Sequence, residues 1–315
     1  MGRRNVVIVF SCVLLLLSFA IFLLLPCFSR NLGFNGLGCC WNVVFLGCEK
    51  PLFTFTVIGD SRVGVFTEYL RSVCGFLRPL VSNDYVQLVV FVGDIVDVGN
   101  RKYFKLVREI MGYRSVLWNR TLFAIGNHDW GGNSEYRELF VKFFELPSTN
   151  YSVVWKFKGL DGNTYRMLFI VLTANCTKIG SGYDIVLEEL EWMDRVLEKH
   201  RDLNAFIVIH YPLPSIKHSE TFLQHLRKHR NVVAVLSGHG HGGGCLWFTA
   251  EDGHVFVNKW VRSILPNKRG DAGYIWFVDV YYDRIETYGF SPVKTKCYCE
   301  AQDRISIPLP IPLKK

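Results

Sequence analysis

Short apolar runs alternate with amphipathic stretches from about residue 51 to the end of the chain. Brief apolar runs bounded by Gly, Asn or Asp are typical of buried strands, and apolar residues repeated every three or four positions are typical of helices. The predicted helices are residues 67–80, 102–111, 135–144, 185–200 and 219–228. This alternation of strands and helices favours an α/β fold.

The pattern changes after His254. The segments VFVNKW, YIWFVDVYY and RIETYGF alternate apolar and polar residues and are separated by turn residues. They predict antiparallel strands that finish a sheet. The tail SIPLPIPLKK has Pro at every second position in its middle, which predicts an extended backbone.

The segment from Val6 to Leu25 is uncharged and twenty residues long. A helix of that length crosses a bilayer core of about 30 Å, so a single-pass transmembrane signal-anchor helix is expected over residues 6–28. Arg3 and Arg4 precede it and are expected to stay in the cytoplasm, which places the remaining chain outside the membrane. The alternative is a cleaved signal peptide and a secreted protein, although no small-residue cleavage site follows the apolar run.

These patterns divide the chain into five parts. They are a cytoplasmic N-terminus (1–5), the signal-anchor (6–28), a linker or lead-in segment (29–50), a folded domain (51–295) and an extended tail that contains Cys and Pro (296–315).

The ten cysteines of the chain fit an oxidising environment. Disulfides are expected between cysteines near the two ends of the folded domain. These are Cys39, Cys40 and Cys48 on one side and Cys297 and Cys299 on the other. The same residues could instead hold a structural zinc ion, although their CC and CxC spacings differ from paired CxxC knuckles.

The charge pattern excludes one class of partner. Lys and Arg (36) outnumber Asp and Glu (28), which gives a net charge of +8 at pH 7. The basic residues are scattered, however, and form no stripe that could follow a nucleic-acid backbone. We therefore predict no nucleic-acid partner and only a modest attraction for phosphate-bearing molecules.

Side chains of metal-ligand type follow five of the apolar runs. They are Asp60, Asp94, Asn127, His210 and His239, with His241 close behind the last. Singly, an Asp or Asn after a strand is ordinary turn chemistry, and an isolated His is usually a core or surface group. Strands that end together at one sheet edge, however, bring such residues into a single crevice. Gly directly precedes four of these strand ends and lets the backbone turn sharply, so the set predicts a metal site.

The same residues belong to short motifs. The motifs are GD (59–60), GDIVD (93–97), GNHD (126–129), the lone His210 and GHGH (238–241). In kind and order they resemble those of the calcineurin-like metallophosphoesterase superfamily, and they cover most of the folded domain. The stretch LEELEWMDRVL (187–197) also resembles the helix between that family's third and fourth motifs. The resemblance implies a four-layer αββα sandwich.

The resemblance further implies a binuclear centre with two divalent metal ions, which would be Mn, Fe or Zn. Asp94 would bridge the two ions. One ion would also take Asp60 and His241, and the other Asn127, His210 and His239. Oxygen and imidazole ligands suit these metals, and two cations about 3.5 to 4 Å apart need an anion between them.

For the reaction, the resemblance implies hydrolysis of a phosphomonoester or phosphodiester by a metal-bridging hydroxide. His128 would bind the substrate and act as the general acid that protonates the leaving oxygen. Asp97 would orient His128. Asp129 has no equally clear chemical role and is expected to cap a helix or a turn.

One position departs from the family pattern. Many members have D-x-H in the first motif, whereas this chain has Asp60-Ser61-Arg62. Arg cannot ligate a metal, so one ion has fewer ligands, is bound more weakly or is absent. Alternatively, the Arg62 guanidinium binds the substrate phosphate through two parallel hydrogen bonds. The sequence leaves both interpretations open.

The leading hypothesis is a membrane-anchored, extracytoplasmic metallophosphoesterase. Its substrate would be a phosphorylated small molecule, such as a nucleotide or a sugar phosphate, or a lipid head group. The alternative is a non-catalytic metal- or phosphate-binding protein on the same fold, with one metal site degraded at Arg62. Residues 131–164 and 211–220 are expected to form the rim that selects the substrate.

Overall fold

The part of the chain that the structure, a computed structural model, describes comprises residues 49–176, 183–266, 272–293, 296–298 and 304–314. Its side chains are described except at residues 175–176 and 296–298. The expected anchor, most of the linker and the cysteines expected to pair lie outside this description. Within the described ranges, no helix combines the length and the apolar character needed to cross a membrane.

Strands and helices alternate over the described chain. The strands are β1 (Phe53–Ile58), β2 (Val86–Phe91), β3 (Thr121–Phe123), β4 (Tyr151–Lys158), β5 (Thr164–Leu172), β6 (Asn175–Cys176), β7 (Tyr183–Asp184), β8 (Ala205–Ile209), β9 (Val232–Ser237), β10 (Gly242–Thr249), β11 (Val255–Arg262), β12 (Ile275–Val280), β13 (Arg284–Ser291), β14 (Lys296–Tyr298) and β15 (Ser306–Pro308). The helices are α1 (Thr67–Ser82), α2 (Arg101–Met111), α3 (Val116–Asn119), α4 (Asn127–Trp130), α5 (Ser134–Phe144), α6 (Leu187–Lys199) and α7 (Ser219–Arg227).

The strands form two large sheets and one small one. The first sheet has the order β14-β13-β12-β1-β2-β3, with β15 also paired to β13, and the second has the order β10-β11-β9-β8-β5-β4. Strands β6 and β7 form the small two-stranded sheet. Strands β1, β2 and β3 are parallel in the first sheet, and β5, β8, β9 and β11 are parallel in the second. The two sheets and the helices confirm the expected α/β class.

Aromatic side chains hold the two sheets face to face. Phe55 of β1 makes edge contacts with Phe169 of β5 at 5.6 Å and with Phe206 of β8 at 5.2 Å between ring centroids. All three rings are fully buried. Each buried Phe contributes about 1.5–3 kcal/mol relative to an exposed one, so this interface is a main source of stability.

The five helices predicted from spacing are all present, with ends that differ by at most two residues. Helix α2 shows why. Its buried residues recur at helical spacing: Phe104, Val107, Ile110 and Met111. Asn100 caps its start by accepting a hydrogen bond from the Tyr103 N–H at 2.9 Å, and Gly112, with φ of 74°, ends it in the left-handed conformation. The short helices α3 and α4 were not predicted.

Helices pack on the outer face of the first sheet, where Phe76 of α1 stacks on Phe290 of β13 at 4.9 Å. The outer face of the second sheet is covered as well, because Leu168, Ile170 and Ile207 are fully buried there. The central strands of both sheets are thus buried on two sides.

Two sequence expectations need correction. Strands β12 and β13 are antiparallel in the first sheet as expected, whereas β11 lies in the second sheet, where it is antiparallel to β10 and parallel to β9. Residues 151–158, expected to belong to the rim, form β4 at the edge of the second sheet. Most side chains of β4 are exposed or half-buried, so no continuous apolar run marks it as a strand.

The C-terminal tail connects the two sheets at the end opposite the ligand-bearing strand ends. Strand β15 pairs with β13 of the first sheet, and its Ile307 is fully buried. Ile311 lies three residues after the end of β15, and Asn204 binds its backbone. Asn204 Nδ2 donates to the Ile311 carbonyl at 2.6 Å, and Asn204 Oδ1 accepts from the Ile311 N–H at 3.1 Å. Asn204 directly precedes β8 of the second sheet.

We expect Asn204→Ala to lower the free energy of unfolding by about 1–3 kcal/mol, because it removes both side-chain partners of the Ile311 backbone. Equilibrium denaturation in urea measures this change. Asn163→Ala, which alters an exposed Asn in the β4–β5 turn, is the control and is expected to cost less. Equal losses in the two variants would contradict the role of Asn204.

A carboxyl group is buried in the first sheet with no basic partner among the described residues. Thr54 of β1 and Asp279 of β12 are cross-strand neighbours, and the Thr54 hydroxyl donates to Asp279 Oδ1 at 2.6 Å. Both residues are buried. Burial raises the pKa of Asp279 to about 7, because a buried negative charge is costly in the sheet.

This pKa lies above the ordinary value, so the folded state binds the Asp279 proton more tightly than the unfolded state. Stability from this group is therefore complete below about pH 4 and is lost as the pH rises through about 7. Asp279→Asn is expected to reduce this loss of folding stability. In the unchanged protein the loss is at most about 4 kcal/mol, because the pKa of Asp279 is raised by about three. Urea denaturation at pH 5 and pH 8 checks it, and equal pH dependence in both proteins would contradict it.

Candidate metal centre

The six residues expected to be metal ligands all follow strands that end at the same side of the molecule. Asp60, Asp94 and Asn127 follow β1, β2 and β3 of the first sheet. His210 and His239 follow β8 and β9 of the second. The ligands were expected at one edge of a single sheet. They lie instead at the adjoining strand ends of two facing sheets.

Hydrogen bonds join the two sheets at this edge. His210 Nδ1 lies 2.8 Å from the carbonyl oxygen of Val92, which belongs to the segment after β2. Ser263 Oγ, after β11, donates to the carbonyl of Asp60 at 3.0 Å. These bonds fix the strand ends of one sheet against those of the other.

The backbone at this edge is unusually strained. Four of the expected ligands have positive φ although none is Gly. The values are 48° at Asp60, 52° at Asp94, 59° at His239 and 42° at His241, and Arg62 also has 42°. A non-glycine residue in a sparsely populated backbone region costs on the order of 1–3 kcal/mol, and such residues cluster at functional sites. The turns that aim these side chains inward are therefore held by the surrounding fold.

Three of the expected ligands present their donor atoms to one point. One donor atom each from Asp94, His210 and His239 lies within 4.8 Å of the other two. His210 Nε2 is 3.3 Å from Asp94 Oδ1. Asp94 and His210 are each about 1% exposed. Carboxylate and imidazole donors at this separation suit a divalent transition metal.

The pKa values of these groups indicate that positive charge is favoured where the three donor atoms converge. Burial lowers the pKa of His210, but the Asp94 carboxylate outweighs it and raises the pKa to about 9. Burial works against ionised Asp94, yet His210 and His128 bring its pKa down to about 2. Burial and the neighbouring His210 lower the pKa of His239 to about 4, so its imidazole is neutral and has a lone pair to offer at pH 7.

Two buried polar atoms in the centre make no hydrogen bond of good geometry among the described residues. They are Asn127 Oδ1 and His210 Nε2, and the second of them faces Asp94 Oδ1 at 3.3 Å. Leaving a buried polar atom unpaired costs about 1–3 kcal/mol, so such atoms call for an explanation. A metal ion bound by Asp94, Asn127, His210 and His239 would satisfy both. The residues present therefore fit a metal on this side of the centre.

Asp60 and His241 form the other side of the centre. Asp60 is fully buried, and its two carboxylate oxygens accept hydrogen bonds from the His239 N–H at 3.2 and 3.1 Å. His241 Nε2 lies 3.5 Å from Asp60 Oδ1, and the His241 side chain is 48% exposed. The hydrogen bond with Asp60 raises the pKa of His241. This pair is thus partly satisfied without a metal.

Glycines allow the close approach of the ligands. A Cβ at Gly93, whose φ is +93°, would lie 2.7 Å from His210 Nδ1. A Cβ at Gly126 would overlap both the carboxylate and the backbone nitrogen of Asp94. Glycine at these positions is required by space as well as by the turn.

Asp129 supports the turn that carries Asn127. Its carboxylate accepts hydrogen bonds from the N–H groups of Val96 at 2.9 Å and Gly126 at 2.8 Å. Burial, reinforced by the charge of Asp94, raises the pKa of Asp129 to about 8. The expected capping role is confirmed.

His128, Asp97 and Arg62 form a connected group beside the metal ligands. The His128 N–H donates to Asp94 Oδ1 at 2.9 Å, and His128 Nδ1 lies 2.8 Å from the carbonyl oxygen of Asp97. A carbonyl oxygen only accepts, so Nδ1 carries the proton of this bond. Asp97 therefore contacts the His128 imidazole through its main chain.

The Asp97 carboxylate is engaged elsewhere. Arg62 donates to Asp97 Oδ1 from Nε at 3.0 Å and from Nη2 at 2.6 Å. The same Nη2 lies 3.1 Å from His128 Nδ1, but both atoms are donors when Nδ1 carries the proton, so this contact is not a hydrogen bond. Both partners of this ion pair are about one fifth exposed. The spacing of Arg62 and Asp97 along the chain does not indicate this pairing.

Two tyrosines that were not predicted surround His239. Tyr183 and Tyr211 stack on each other at 3.6 Å, and their rings lie 5.1 and 4.9 Å from the His239 ring. Tyr211 directly follows ligand His210, which was the available signal. Both tyrosine rings thus make edge contacts with the His239 imidazole.

Comparison with known proteins agrees with the geometry. The family model of calcineurin-like phosphoesterases matches residues 53–243, so the chain belongs to this family. A curated relative, the uncharacterized protein YvnB of Bacillus subtilis (strain 168), is 28% identical over 282 residues. The match covers 79% of this chain but 21% of YvnB, so the chain spans about a fifth of that protein's length.

Two solved structures have a similar fold. A dimetal phosphatase from Danio rerio has a TM-score of 0.58 at 17% identity, and the match covers 82% of this chain and all of that one. GAP50, titled the anchor in the inner membrane complex of Plasmodium, has a TM-score of 0.59 at 15% identity, with 84% of this chain and 90% of that chain covered. Identities this low support the fold alone.

We expect Mn²⁺ to raise the melting temperature of the chain. At a free Mn²⁺ concentration about one hundred times Kd, binding adds about 2.7 kcal/mol to the free energy of unfolding. Gly126→Ala is expected to remove this increase, because a methyl group there displaces Asp94. Gly75→Ala, in α1 with open space around the new methyl group, is expected to keep it. Differential scanning calorimetry with and without Mn²⁺ measures both, and an unchanged metal response in Gly126→Ala would contradict the site.

Proposed function

We propose that the chain is a metal-dependent phosphoesterase that hydrolyses a phosphomonoester or a phosphodiester. The observation that carries the proposal is the convergence of Asp94, His210 and His239 on one point, beside buried polar atoms that make no hydrogen bond of good geometry among the described residues. Membership of the calcineurin-like phosphoesterase family supports the reaction class.

The metal side of the proposal assigns ligands by position. Asp94, Asn127, His210 and His239 would hold one divalent ion, and Asp60, Asp94 and His241 would hold a second. Divalent ions in such a centre supply a nucleophile from water at neutral pH and neutralise the phosphoryl oxygens. Manganese, iron and zinc all suit this donor set.

His128 is placed to deliver a proton to the leaving group. Since Nδ1 keeps its proton in the bond to the Asp97 carbonyl, His128 acts as an acid in its imidazolium form and gives up the proton on Nε2, which lies 4.0 Å from Asp94 Oδ2. The side chain is 17% exposed, so a substrate can reach it. A positioned imidazole of this kind contributes about 10²–10⁴-fold to the rate.

Asp97 would keep the His128 imidazole in this orientation through its carbonyl oxygen. Its carboxylate meanwhile anchors Arg62. In our proposal the Arg62 guanidinium supports phosphate binding from the edge of the centre. Among the described residues its Nη1 has no hydrogen-bond partner, so that nitrogen is available to a phosphoryl oxygen.

A second candidate function is a non-catalytic metal- or phosphate-binding protein. One observation favours it: Nε and Nη2 of Arg62, where the family pattern has a ligand, are both bound to Asp97. A binding protein, however, has no use for a general acid, which is the role that our proposal gives to His128. Metal binding without turnover on any phosphate ester would favour this second function.

The proposed location is the outer side of a membrane, with a phosphorylated small molecule or a lipid head group as substrate. It rests on the uncharged segment from Val6 to Leu25 and on the preceding Arg3 and Arg4. Intact cells that express the full chain should then hydrolyse an added phosphate ester that cannot cross the membrane. Hydrolysis seen only after lysis would contradict this location.

We expect the purified full chain, supplied with Mn²⁺, to hydrolyse an aryl phosphate monoester or diester and to lose this activity when a chelator removes the metal. His128→Ala is expected to lower kcat by about 10²–10⁴-fold while Mn²⁺ binding is retained. Steady-state kinetics and a metal analysis of the same samples measure both quantities.

Two variants serve as controls. His200→Ala changes a histidine before β8, at the opposite end of that strand from His210, and is expected to leave kcat unchanged. Asp97→Asn keeps the main-chain carbonyl that holds His128 and is expected to lower kcat less than His128→Ala. A wild-type protein that binds Mn²⁺ but hydrolyses neither ester would overturn the proposed function.

A further inference from the structure

The two halves of the metal centre differ in their burial and in the hydrogen bonds that they already make. The half formed by Asp94, Asn127, His210 and His239 is buried and contains both of the polar atoms that make no hydrogen bond of good geometry among the described residues. The half formed by Asp60 and His241 is more open, since the His241 side chain is 48% exposed. In the first half a cation meets Asn127 Oδ1 without displacing a described hydrogen bond, and it displaces one contact, that of His210 Nε2 with Asp94 Oδ1 at 3.3 Å.

Asp60 is already engaged without a metal. Both of its oxygens accept from the His239 N–H, and Oδ1 also lies 3.5 Å from His241 Nε2. A cation on this side must therefore compete with hydrogen bonds that the centre already makes. No such competition exists at Asn127 Oδ1.

Arg62 adds a fixed positive charge on the same side. It follows Asp60 by two residues, and its charge reaches His241, where it opposes protonation of the imidazole. The two short hydrogen bonds to Asp97 and the main-chain bond from the Arg62 N–H to the Asp94 carbonyl at 2.9 Å hold it in place. The guanidinium cannot donate a lone pair to a metal, and it cannot lose its charge at accessible pH.

The formal charges point the same way. The Asp97 carboxylate is balanced by Arg62, and this leaves Asp60 and Asp94 as the negative charges available to cations. One divalent ion neutralises these two carboxylates. A second ion would leave an excess of positive charge next to Arg62 until an anionic substrate arrives.

From these observations we infer that the centre is unequal: one divalent cation binds tightly at Asp94, Asn127, His210 and His239, and the second, at Asp60 and His241, binds weakly because Arg62 stands where a ligand is needed. This inference rests on the proposed function. It adds that the enzyme as purified holds one cation and that the second is exchangeable.

The affinity difference has an expected size. Replacing a residue that merely supports a metal ligand costs about 10- to 100-fold in affinity, and a missing direct ligand should cost at least as much. The second cation is therefore expected to bind at least about 10- to 100-fold more weakly than the first.

Metal titration tests the inference without any activity measurement. The full chain is stripped with a chelator and titrated with Mn²⁺ by calorimetry, and metal retained after gel filtration is counted by elemental analysis. We expect one retained Mn²⁺ per chain and one weak site. Electron paramagnetic resonance should show an isolated Mn²⁺ ion at one equivalent and a coupled pair only at high excess.

Two substitutions separate the missing ligand from the fixed charge. Arg62→His supplies a ligand and removes the charge, so two retained Mn²⁺ ions are expected. Arg62→Gln removes the charge and supplies no imidazole, so one retained ion is expected. Two tight ions in Arg62→Gln, or only one in Arg62→His with an unchanged circular dichroism spectrum, would overturn the role given to Arg62.

The outcomes for the wild-type chain distinguish this inference from the proposed function. Two ions of equal affinity reject the inference and leave the phosphoesterase proposal intact. No bound ion at all rejects the phosphoesterase proposal, and the inference with it. One tight ion together with a second, far weaker one supports both.

Discussion

The arrangement of the centre depends on one buried negative charge, the carboxylate of Asp94. Taking an ion out of water costs several kcal/mol even after relaxation, unless positive charge and hydrogen bonds surround it. Here the His128 N–H donates to it at 2.9 Å, and His210 lies 3.3 Å away. In the absence of a metal, a proton on His210 provides the compensating charge. The centre is therefore built to keep a cation at this point, and the identity of that cation decides the chemistry.

The fold meets this requirement by ending five strands of two facing sheets around the same carboxylate. Neither sheet alone could do so, because β1, β2 and β3 supply oxygen ligands and β8 and β9 supply imidazoles. The cost is left-handed backbone at several non-glycine turns. The aromatic interface around Phe55 and the tail held by Asn204 supply the rigidity that keeps these turns in place.

The sequence predicted the parts of the molecule that short-range patterns encode. Helix α2 and the ligands that follow β1 and β2 are marked by residues only a few positions apart. The edge strand β4 was missed because its half-exposed side chains break the apolar run. The ion pair between Arg62 and Asp97, 35 residues apart, and the bond between Asn204 and Ile311 depend on how distant segments pack, and spacing alone carries no information about such pairs.

The two interpretations of Arg62 that the sequence leaves open are compatible in the structure. Its Nε and Nη2 are occupied by Asp97, so a two-bond grip on phosphate through that edge of the guanidinium would require breaking a half-buried ion pair. Nη1 is still able to bind phosphate through one charge-assisted hydrogen bond. Arg62 would then weaken one cation site. It would also supply part of the positive charge that a tightly bound second cation would otherwise provide. A phosphate that arrives with its own negative charge offsets the excess positive charge, which makes the second cation and the substrate each favour binding of the other.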